Sequence, residues 1–93
     1  MTPRLADRVA ELFKVLGNTS RVRLLDALAG GGEMSLREMG LPRSGGATAA
    51  RPLVLLGVVG RRRRGQEACY RLTGRGVPRL LALGLDVAET ARG

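Results

Sequence analysis

The feature that most constrains the fold of this chain is the stretch at residues 57–72, GVVGRRRRGQEACYRL. Two valines precede its arginine run, and residues 67–72 alternate in character as a half-buried β-strand does. Gly65 stands between these halves, where a tight turn needs a positive φ that glycine adopts without steric cost. The pattern therefore predicts a two-stranded β-hairpin, with residues 61–64 at or beside its tip.

Residues 61–64 are consecutive arginines. Adjacent guanidinium groups repel one another unless solvent or a polyanion compensates their charge. One interpretation is a solvated basic loop, and the other is an edge that binds a phosphate backbone. The whole chain carries a formal net charge of +8, which favours an anionic partner, with nucleic acid ahead of a membrane surface. The charge therefore favours the second interpretation.

Length and composition predict one small domain over residues 1–93. Aromatic residues make up only 2% of the chain, and a domain this small gains stability by burying a face against a second copy. No apolar run approaches the roughly 20 residues of a membrane-spanning helix, and the N-terminus lacks the layout of a signal peptide. We therefore expect a cytoplasmic protein with no membrane partner.

The chain has no histidine and one cysteine, Cys69. An internal disulfide is therefore impossible. A Ser-His or Cys-His catalytic pair, and a zinc site built from several His and Cys ligands, are impossible for the same reason. The eight carboxylates are scattered, and no pair stands out for acid–base catalysis. We therefore expect no enzymatic activity, no bound metal and no cofactor.

Helices are predicted near both ends of the chain. Residues 3–16 follow a Thr-Pro start and carry one apolar stripe. Residues 77–90 are apolar on more than one side, so that helix needs burial on more than one side. We expect these two helices to pack together in a homodimer, through Leu5, Val9, Leu12, Leu80, Leu81, Leu83 and Val87.

Local signals define the elements that follow the first helix. Asn18 is the predicted N-cap of a second helix, which the glycine triplet at residues 30–32 ends. Ser35 and Glu38 form a capping box, in which the serine side chain bonds the glutamate amide and the glutamate side chain reaches back. This box predicts a short third helix that Gly40 closes.

Residues 43–56, RSGGATAARPLVLL, leave two interpretations open. Small and apolar residues favour a helix, but each of two glycines costs about 1 kcal/mol in a helix interior and Pro52 costs about 3 kcal/mol. One interpretation is a helix or turn over residues 47–51 that breaks at Pro52 and resumes as a new turn up to Gly57. The other is a largely irregular segment. Propensity does not choose between them.

Three stretches carry a family resemblance. They are LADRVAELFKVLGNTSRVRLLDALAGGGEMSLREM at residues 5–39, GLPRS at residues 40–44 and GVVGRRRRGQEACYRLT at residues 57–73. Together they resemble the ArsR-type bacterial transcriptional regulators over roughly residues 4–88. The resemblance implies a mainly α fold with a small β-hairpin. This is a winged helix-turn-helix of about five helices with a two-stranded wing at residues 57–72.

The resemblance also implies a function. It points to a homodimer that binds duplex DNA and represses transcription. Its two recognition segments would lie about one helical turn of DNA apart. The recognition segment here is shortened and atypical, because it holds a Gly-Gly pair and Pro52. The implied DNA contacts are Arg43, Ser44, Thr48 and Arg51 in that segment and Arg61, Arg62, Arg63 and Arg64 in the wing. Ser44 has an alternative role, as the cap of the helix that follows.

Two other functions compete with the DNA regulator. A winged-helix dimer that no longer reads sequence would be a protein-interaction module, with its basic wing on an acidic partner. An RNA-binding domain is the third hypothesis, and the scarcity of aromatic residues argues against it. A continuous helix over residues 47–56 would support the DNA regulator, whereas a disordered one would support the interaction module. The resemblance names no effector, and the chain lacks the Cys and His ligands with which many members sense metals.

Overall fold

The computed structural model describes residues 1–91. These residues contain four helices and three short strands. In chain order they are α1 (Pro3–Leu16), α2 (Thr19–Gly31), β1 (Met34–Ser35), α3 (Arg43–Leu56), β2 (Val59–Arg64), β3 (Glu67–Leu72) and α4 (Gly76–Ala91). Residues 92 and 93 of the predicted domain lie outside the described part. The chain is mainly helical, as expected, but this part has four helices where about five were expected.

The first two helices begin where the sequence predicts. The Thr2 hydroxyl accepts a hydrogen bond from the Leu5 N–H at 3.2 Å, and a proline follows at the first helical position. At the start of α2, the Asn18 side chain accepts from the Arg21 N–H at 3.1 Å. Both predicted N-caps are therefore confirmed.

The core lies between α2, α3 and the sheet. Its buried apolar residues are Leu24, Leu25, Leu28, Ala49, Ala50, Leu53, Val59, Tyr70 and Val77. α4 packs on α2, whereas α1 lies against α2 and α3 and has no fully buried residue. Much of the surface of α1 and α4 therefore stays exposed. No helix within residues 1–91 is both long and apolar enough to cross a membrane.

The predicted hairpin is present, and a third strand extends it. β2 and β3 pair antiparallel from Val59 opposite Leu72 to the turn, where Gly65 has a φ of 64°. β1 pairs with the other edge of β3. The hairpin has the two strands that were expected, but the sheet has a third strand that was not predicted, because a strand of two residues is too short to show a period. We call β2, β3 and their turn the wing.

The predicted third helix is a single closed turn instead. The capping box forms, with the Ser35 N–H bonded to a Glu38 carboxylate oxygen at 2.8 Å and the Glu38 N–H to the Ser35 hydroxyl at 3.1 Å. Immediately after it, the Gly40 N–H donates to the Arg37 carbonyl and the Leu41 N–H donates to the Leu36 carbonyl. Gly40 has a φ of 73°, and this pattern ends a helix. The start and stop signals overlap, so no helix is left between them.

Both interpretations of residues 43–56 were wrong, because α3 is one continuous helix from Arg43 to Leu56. Pro52 has no N–H to give the Thr48 carbonyl, but Thr48 is exposed and water can bond that group instead. Leu53 is fully buried and Ala50 is 1% exposed. Full burial of a leucine contributes about 1.5–3 kcal/mol, which offsets a proline cost of about 3 kcal/mol.

Candidate nucleic-acid interface

One exposed stripe of α3 holds the predicted recognition residues. Ser44, Thr48 and Arg51 are exposed and follow one another at helical spacing, and Arg43 begins the helix beside them. The Thr48 hydroxyl donates to the Ser44 carbonyl at 3.0 Å. The structure therefore brings these four residues together. Ser44 is not the helix cap, since Pro42 holds that position, so the capping role considered for it was wrong.

The arginine run lies in strand β2 and not in a loop, and the strand divides it between two faces. Arg61 is paired with Tyr70, whose ring belongs to the core, and Arg63 lies on the same face. Arg62 and Arg64 point to the opposite face, which we call the outer face of the wing. Alternation along a strand thus separates residues that the sequence places in one block.

Arg61 and Arg63, on the face of the wing that carries Tyr70, lie opposite α3 across an open cleft of about 790 Å³. Arg43, Ala47, Arg61, Arg63 and Tyr70 are among its lining residues. A second, smaller depression shares three of these residues and adds Arg51 and Leu55. Helix α3 and the wing therefore border one continuous groove, which we call the basic groove and define by Arg43, Arg51, Arg61 and Arg63.

The charge of the basic groove is not neutralised within the described residues. Over residues 1–91, no Asp or Glu oxygen lies within 4.0 Å of a guanidinium nitrogen of its four arginines. Glu67 lines the cleft, but its carboxylate accepts two hydrogen bonds from Arg37, at 3.1 and 3.2 Å. The groove can therefore offer four guanidinium groups to an anionic partner.

The outer face of the wing differs, because its arginines are paired with carboxylates. Arg62 donates two hydrogen bonds to Glu33, at 2.6 and 2.9 Å. Arg64 donates to Glu38 at 2.7 Å, and another of its nitrogens lies 4.0 Å from Glu33. Neither ion pair was predicted from the sequence, where Glu38 was recognised only as part of the capping box. The two glutamates precede their arginines by 29 and 26 residues, a separation at which no local pattern signals a contact.

These contacts shift the protonation equilibria of the carboxyl groups. The hydrogen bonds from Arg62 hold the pKa of Glu33 below its ordinary value. The pKa of Glu38 is lowered first by the bond from the Ser35 backbone N–H and then by the bond from Arg64. The Arg37 guanidinium lowers the pKa of Glu67 in the same way. All three groups are therefore charged at neutral pH.

The residues predicted to form a dimer interface lie on α1 and α4. Leu5, Leu83 and Val87 are exposed, by 46%, 63% and 62%. The other four, Val9, Leu12, Leu80 and Leu81, are half-buried within the chain. Phe13 and Leu85, which the prediction left out, are exposed by 54% and 61% on the same helices. Their helical periodicity was visible in the sequence and could have added them.

Comparison with known proteins identifies relatives of this fold. No protein-family model matches the sequence, and no curated protein matches it. Among solved structures, the homodimeric winged helix-turn-helix DNA-binding domain of Mb0332 from Mycobacterium bovis is a possible ArsR-family transcriptional regulator. It is 33% identical over 96% of this chain and 88% of that chain, with a TM-score of 0.78.

Two further structures agree with the first. The antimony-specific transcriptional repressor AntR is 33% identical over 98% of this chain and 86% of its own, with a TM-score of 0.83. Rv0081 from M. tuberculosis is 29% identical over 98% and 94%, with a TM-score of 0.80. Sequence identity at this level over nearly the whole length, together with the shared helices and wing, shows that this chain belongs to the ArsR family of winged helix-turn-helix transcriptional regulators.

Proposed function

We propose that this chain is a homodimeric regulator that binds duplex DNA and represses transcription by occupying its site. The observation that carries the proposal is the basic groove. A continuous α3 and the wing border it together, and within residues 1–91 its four arginines have no carboxylate partner. A duplex supplies the closely spaced negative charge that such a surface needs. Such a regulator acts in the cytoplasm, where bacterial DNA lies.

Helix α3 is the element proposed to enter the major groove. Its 14 residues give a length of about 21 Å, and the major groove admits an α-helix. Ser44, Ala47 and Thr48 are exposed and short, so the helix backbone can approach the base edges closely. Arg51 supplies the long side chain that can bond guanine or a phosphate. Sequence reading is therefore assigned to this stripe.

The wing is proposed to lie on the sugar–phosphate backbone or in the adjacent minor groove. Arg61 and Arg63 border the same groove as α3, so they can reach DNA while α3 occupies the major groove. Contacts of this kind position the protein but carry little sequence information. Their contribution to affinity falls as salt rises, because binding releases counterions from the phosphates.

The second copy is proposed to cover the apolar faces of α1 and α4. Leu5, Leu83, Leu85 and Val87 leave a large apolar surface exposed on these two helices. Such a patch marks an interaction site, and the Mb0332 domain is homodimeric. A two-fold dimer would present two α3 helices to two half-sites of a pseudo-palindrome.

Repression is the direction that a relative suggests. AntR is a transcriptional repressor specific for antimony, and occupancy of a promoter by a dimer needs no further activity. Antimony specificity is a property of AntR. Within residues 1–91 of this chain, no group of three or more His, Cys, Asp or Glu side chains could hold a metal ion.

The continuity of α3 favours DNA binding over the alternative of a protein-interaction module. That alternative drew its support from a recognition segment expected to break at Gly45-Gly46 and Pro52. The helix runs through all three positions. The observed helix therefore meets the geometric condition for major-groove reading.

The test is fluorescence anisotropy with a labelled duplex from the region upstream of the protein's own gene, beside a scrambled duplex of equal composition. Titrations at about 50 and 200 mM salt separate phosphate contacts from base reading. We expect binding to the native duplex to be tighter by about 10³-fold or more at the higher salt. Equal binding to both duplexes would contradict sequence reading, and binding to neither would overturn the proposed function.

A further inference from the structure

The ion pairs on the outer face of the wing form a ladder that crosses from β2 to the segment around β1. Arg62 holds Glu33 through two parallel hydrogen bonds at 2.6 and 2.9 Å. Arg64 lies beside both glutamates, 2.7 Å from Glu38 and 4.0 Å from Glu33. Two guanidinium groups and two carboxylates thus alternate along this face, and their charges sum to zero.

The geometry of the ladder is fixed by the backbone as well as by the charges. The Glu38 oxygen that accepts from Arg64 also accepts from the Ser35 N–H at 2.8 Å. Ser35 itself is paired with Cys69 in the sheet. The Glu38 carboxylate is therefore held by a backbone group that the sheet fixes, and it meets Arg64 without a search through many rotamers.

Stability does not explain the ladder well. The side chains of Arg62 and Arg64 are 61% and 44% exposed, and exposed ion pairs contribute little to folding. The ion pairs have a clearer effect on the charge that Arg62 and Arg64 present to a DNA phosphate. A phosphate that approaches Arg62 or Arg64 from solvent must displace a carboxylate or remain beside it, whereas the arginines of the basic groove have no such competitor within residues 1–91.

We propose that Glu33 and Glu38 set the number of phosphate contacts that the wing makes with DNA. They neutralise Arg62 and Arg64, limit the phosphate contacts of the wing to Arg61 and Arg63, and so hold down the part of the affinity that does not depend on sequence. This inference rests on the proposed function. It differs from the expectation that all four arginines contact DNA, since it assigns two of them to the protein itself.

The measurable consequence is the salt dependence of binding. The slope of log affinity against log salt changes by about 0.9 for each phosphate that a B-DNA ligand neutralises. Replacement of Glu33 and Glu38 by glutamine frees two guanidinium groups per protomer. The Glu33→Gln/Glu38→Gln variant should therefore show a slope steeper by up to about 1.8 per protomer. Its affinity for the native and the scrambled duplex should rise alike, because phosphate contacts carry little sequence information.

A matched control removes the same charge elsewhere. Glu11→Gln/Glu89→Gln changes two exposed carboxylates on α1 and α4, outside the wing. It should leave the salt slope near that of the wild type. Equal slopes for the two double variants would overturn the inference, because the change would then follow net charge and not the ladder. Sedimentation equilibrium checks that both variants keep the oligomeric state of the wild type.

A second design removes the whole ladder without changing net charge. The quadruple variant Glu33→Gln/Glu38→Gln/Arg62→Gln/Arg64→Gln should keep the wild-type slope. The Arg61→Gln/Arg63→Gln variant should lose about 0.9 per arginine. A loss of about 1.8 per protomer in the quadruple variant would overturn the inference, because Arg62 and Arg64 would then contact phosphates. Thermal unfolding followed by circular dichroism shows that each variant is folded.

The outcomes separate this inference from the proposed function. A wild-type protein that binds neither duplex overturns the proposed function and this inference with it. A wild-type protein that binds, beside a Glu33→Gln/Glu38→Gln variant with an unchanged slope, overturns only this inference. A steeper slope together with an unchanged preference for the native duplex supports both.

Discussion

Gly46 shows how a single residue sets the position of α3. It is buried, and a Cβ atom placed on it would lie 2.8 Å from one methyl carbon of Leu36 and 3.2 Å from the other. Leu36 belongs to the closed turn before α3 and packs against the core. The missing side chain therefore lets the first turn of α3 pack against that turn. A Cβ atom placed on Gly45, its neighbour, would meet open space.

This contrast predicts opposite effects for two alanine substitutions. Gly45→Ala should stabilise the protein by up to about 1 kcal/mol, because alanine is the better helix former. Gly46→Ala gains the same propensity but must displace Leu36, and overpacking of this kind costs about 1–3 kcal/mol. We expect Gly46→Ala to have the lower free energy of unfolding of the two by urea denaturation. Equal stabilities would contradict the close packing.

The lowered pKa values of Glu33 and Glu38 predict a dependence of stability on pH. A carboxyl whose pKa in the folded protein lies below its ordinary value of 4.5 stabilises the fold fully at pH values above 4.5. This contribution is lost as pH falls through the folded pKa. Arg62, Arg64 and Arg71 lower the pKa of Glu33 from the sheet, whereas the Ser35 backbone N–H and then Arg64 lower the pKa of Glu38.

Carbon-detected NMR titration of the side-chain carboxyl groups measures the pKa values on which this pH dependence rests. Glu33 and Glu38 should titrate below 4.5 in the free protein. In the Arg62→Gln/Arg64→Gln variant the midpoint of Glu33 should move up toward that value, and the midpoint of Glu38 should move up by less, because its bond from the Ser35 N–H remains. Midpoints that stay in place after the arginines are removed would show that the ion pairs do not form in solution.

At the scale of the element, the start and stop signals of the chain were readable and the packing was not. The caps at Thr2 and Asn18 and the turn at Gly65 depend on neighbouring residues, so local sequence predicts them. The continuity of α3 depends on the burial of Leu53 among residues of α2 and the sheet. Helix propensity therefore predicted the cost of Pro52 but could not predict the burial of Leu53 that offsets it.

The candidate site followed the same division. The eight residues predicted to contact DNA do lie on α3 and β2, because helical and strand spacing are local properties. Their division into a basic groove and a paired outer face depends on glutamates far along the chain. No spacing rule connects Glu33 to Arg62.

Helix α3 and the wing should respond differently to substitution. Arg51→Ala should cost about 1–3 kcal/mol on the native duplex and reduce discrimination, if Arg51 bonds a base. Arg61→Ser/Arg63→Ser should weaken binding to native and scrambled duplexes alike and flatten the salt slope by about 0.9 per arginine. Anisotropy titrations on both duplexes check this. Identical effects of the two variants on the ratio of affinities would contradict the assigned roles.

At the scale of the whole molecule, the exposed apolar surface points to assembly. Leu5 on α1 and Leu83 on α4 lie on the two helices that bury least within the chain. A chain of 93 residues has a small core, so a second copy would also add stability by mass action. Stability of the fold and spacing of the two α3 helices would then depend on the same interface.

If α1 and α4 form the proposed interface, a charge on α4 should separate the two copies. Leu83→Glu should shift sedimentation equilibrium toward the monomer by at least tenfold in dissociation constant, because it buries an unpaired carboxylate. Leu55→Glu is the control, since Leu55 is 77% exposed but lies on α3. It should leave the dimer intact. A dimer that tolerates Leu83→Glu, or that Leu55→Glu disrupts, would place the interface elsewhere.

Hydroxyl-radical footprinting on the duplex upstream of the gene tests the central claim most directly, because it reports where both copies touch DNA at once. A homodimer with α3 in the major groove and the wing beside it should protect two symmetric patches, centred about 10–10.5 base pairs apart or a multiple of that spacing. Uniform protection along the duplex, or none at protein concentrations that saturate binding, would contradict a dimer that reads a pseudo-palindromic site.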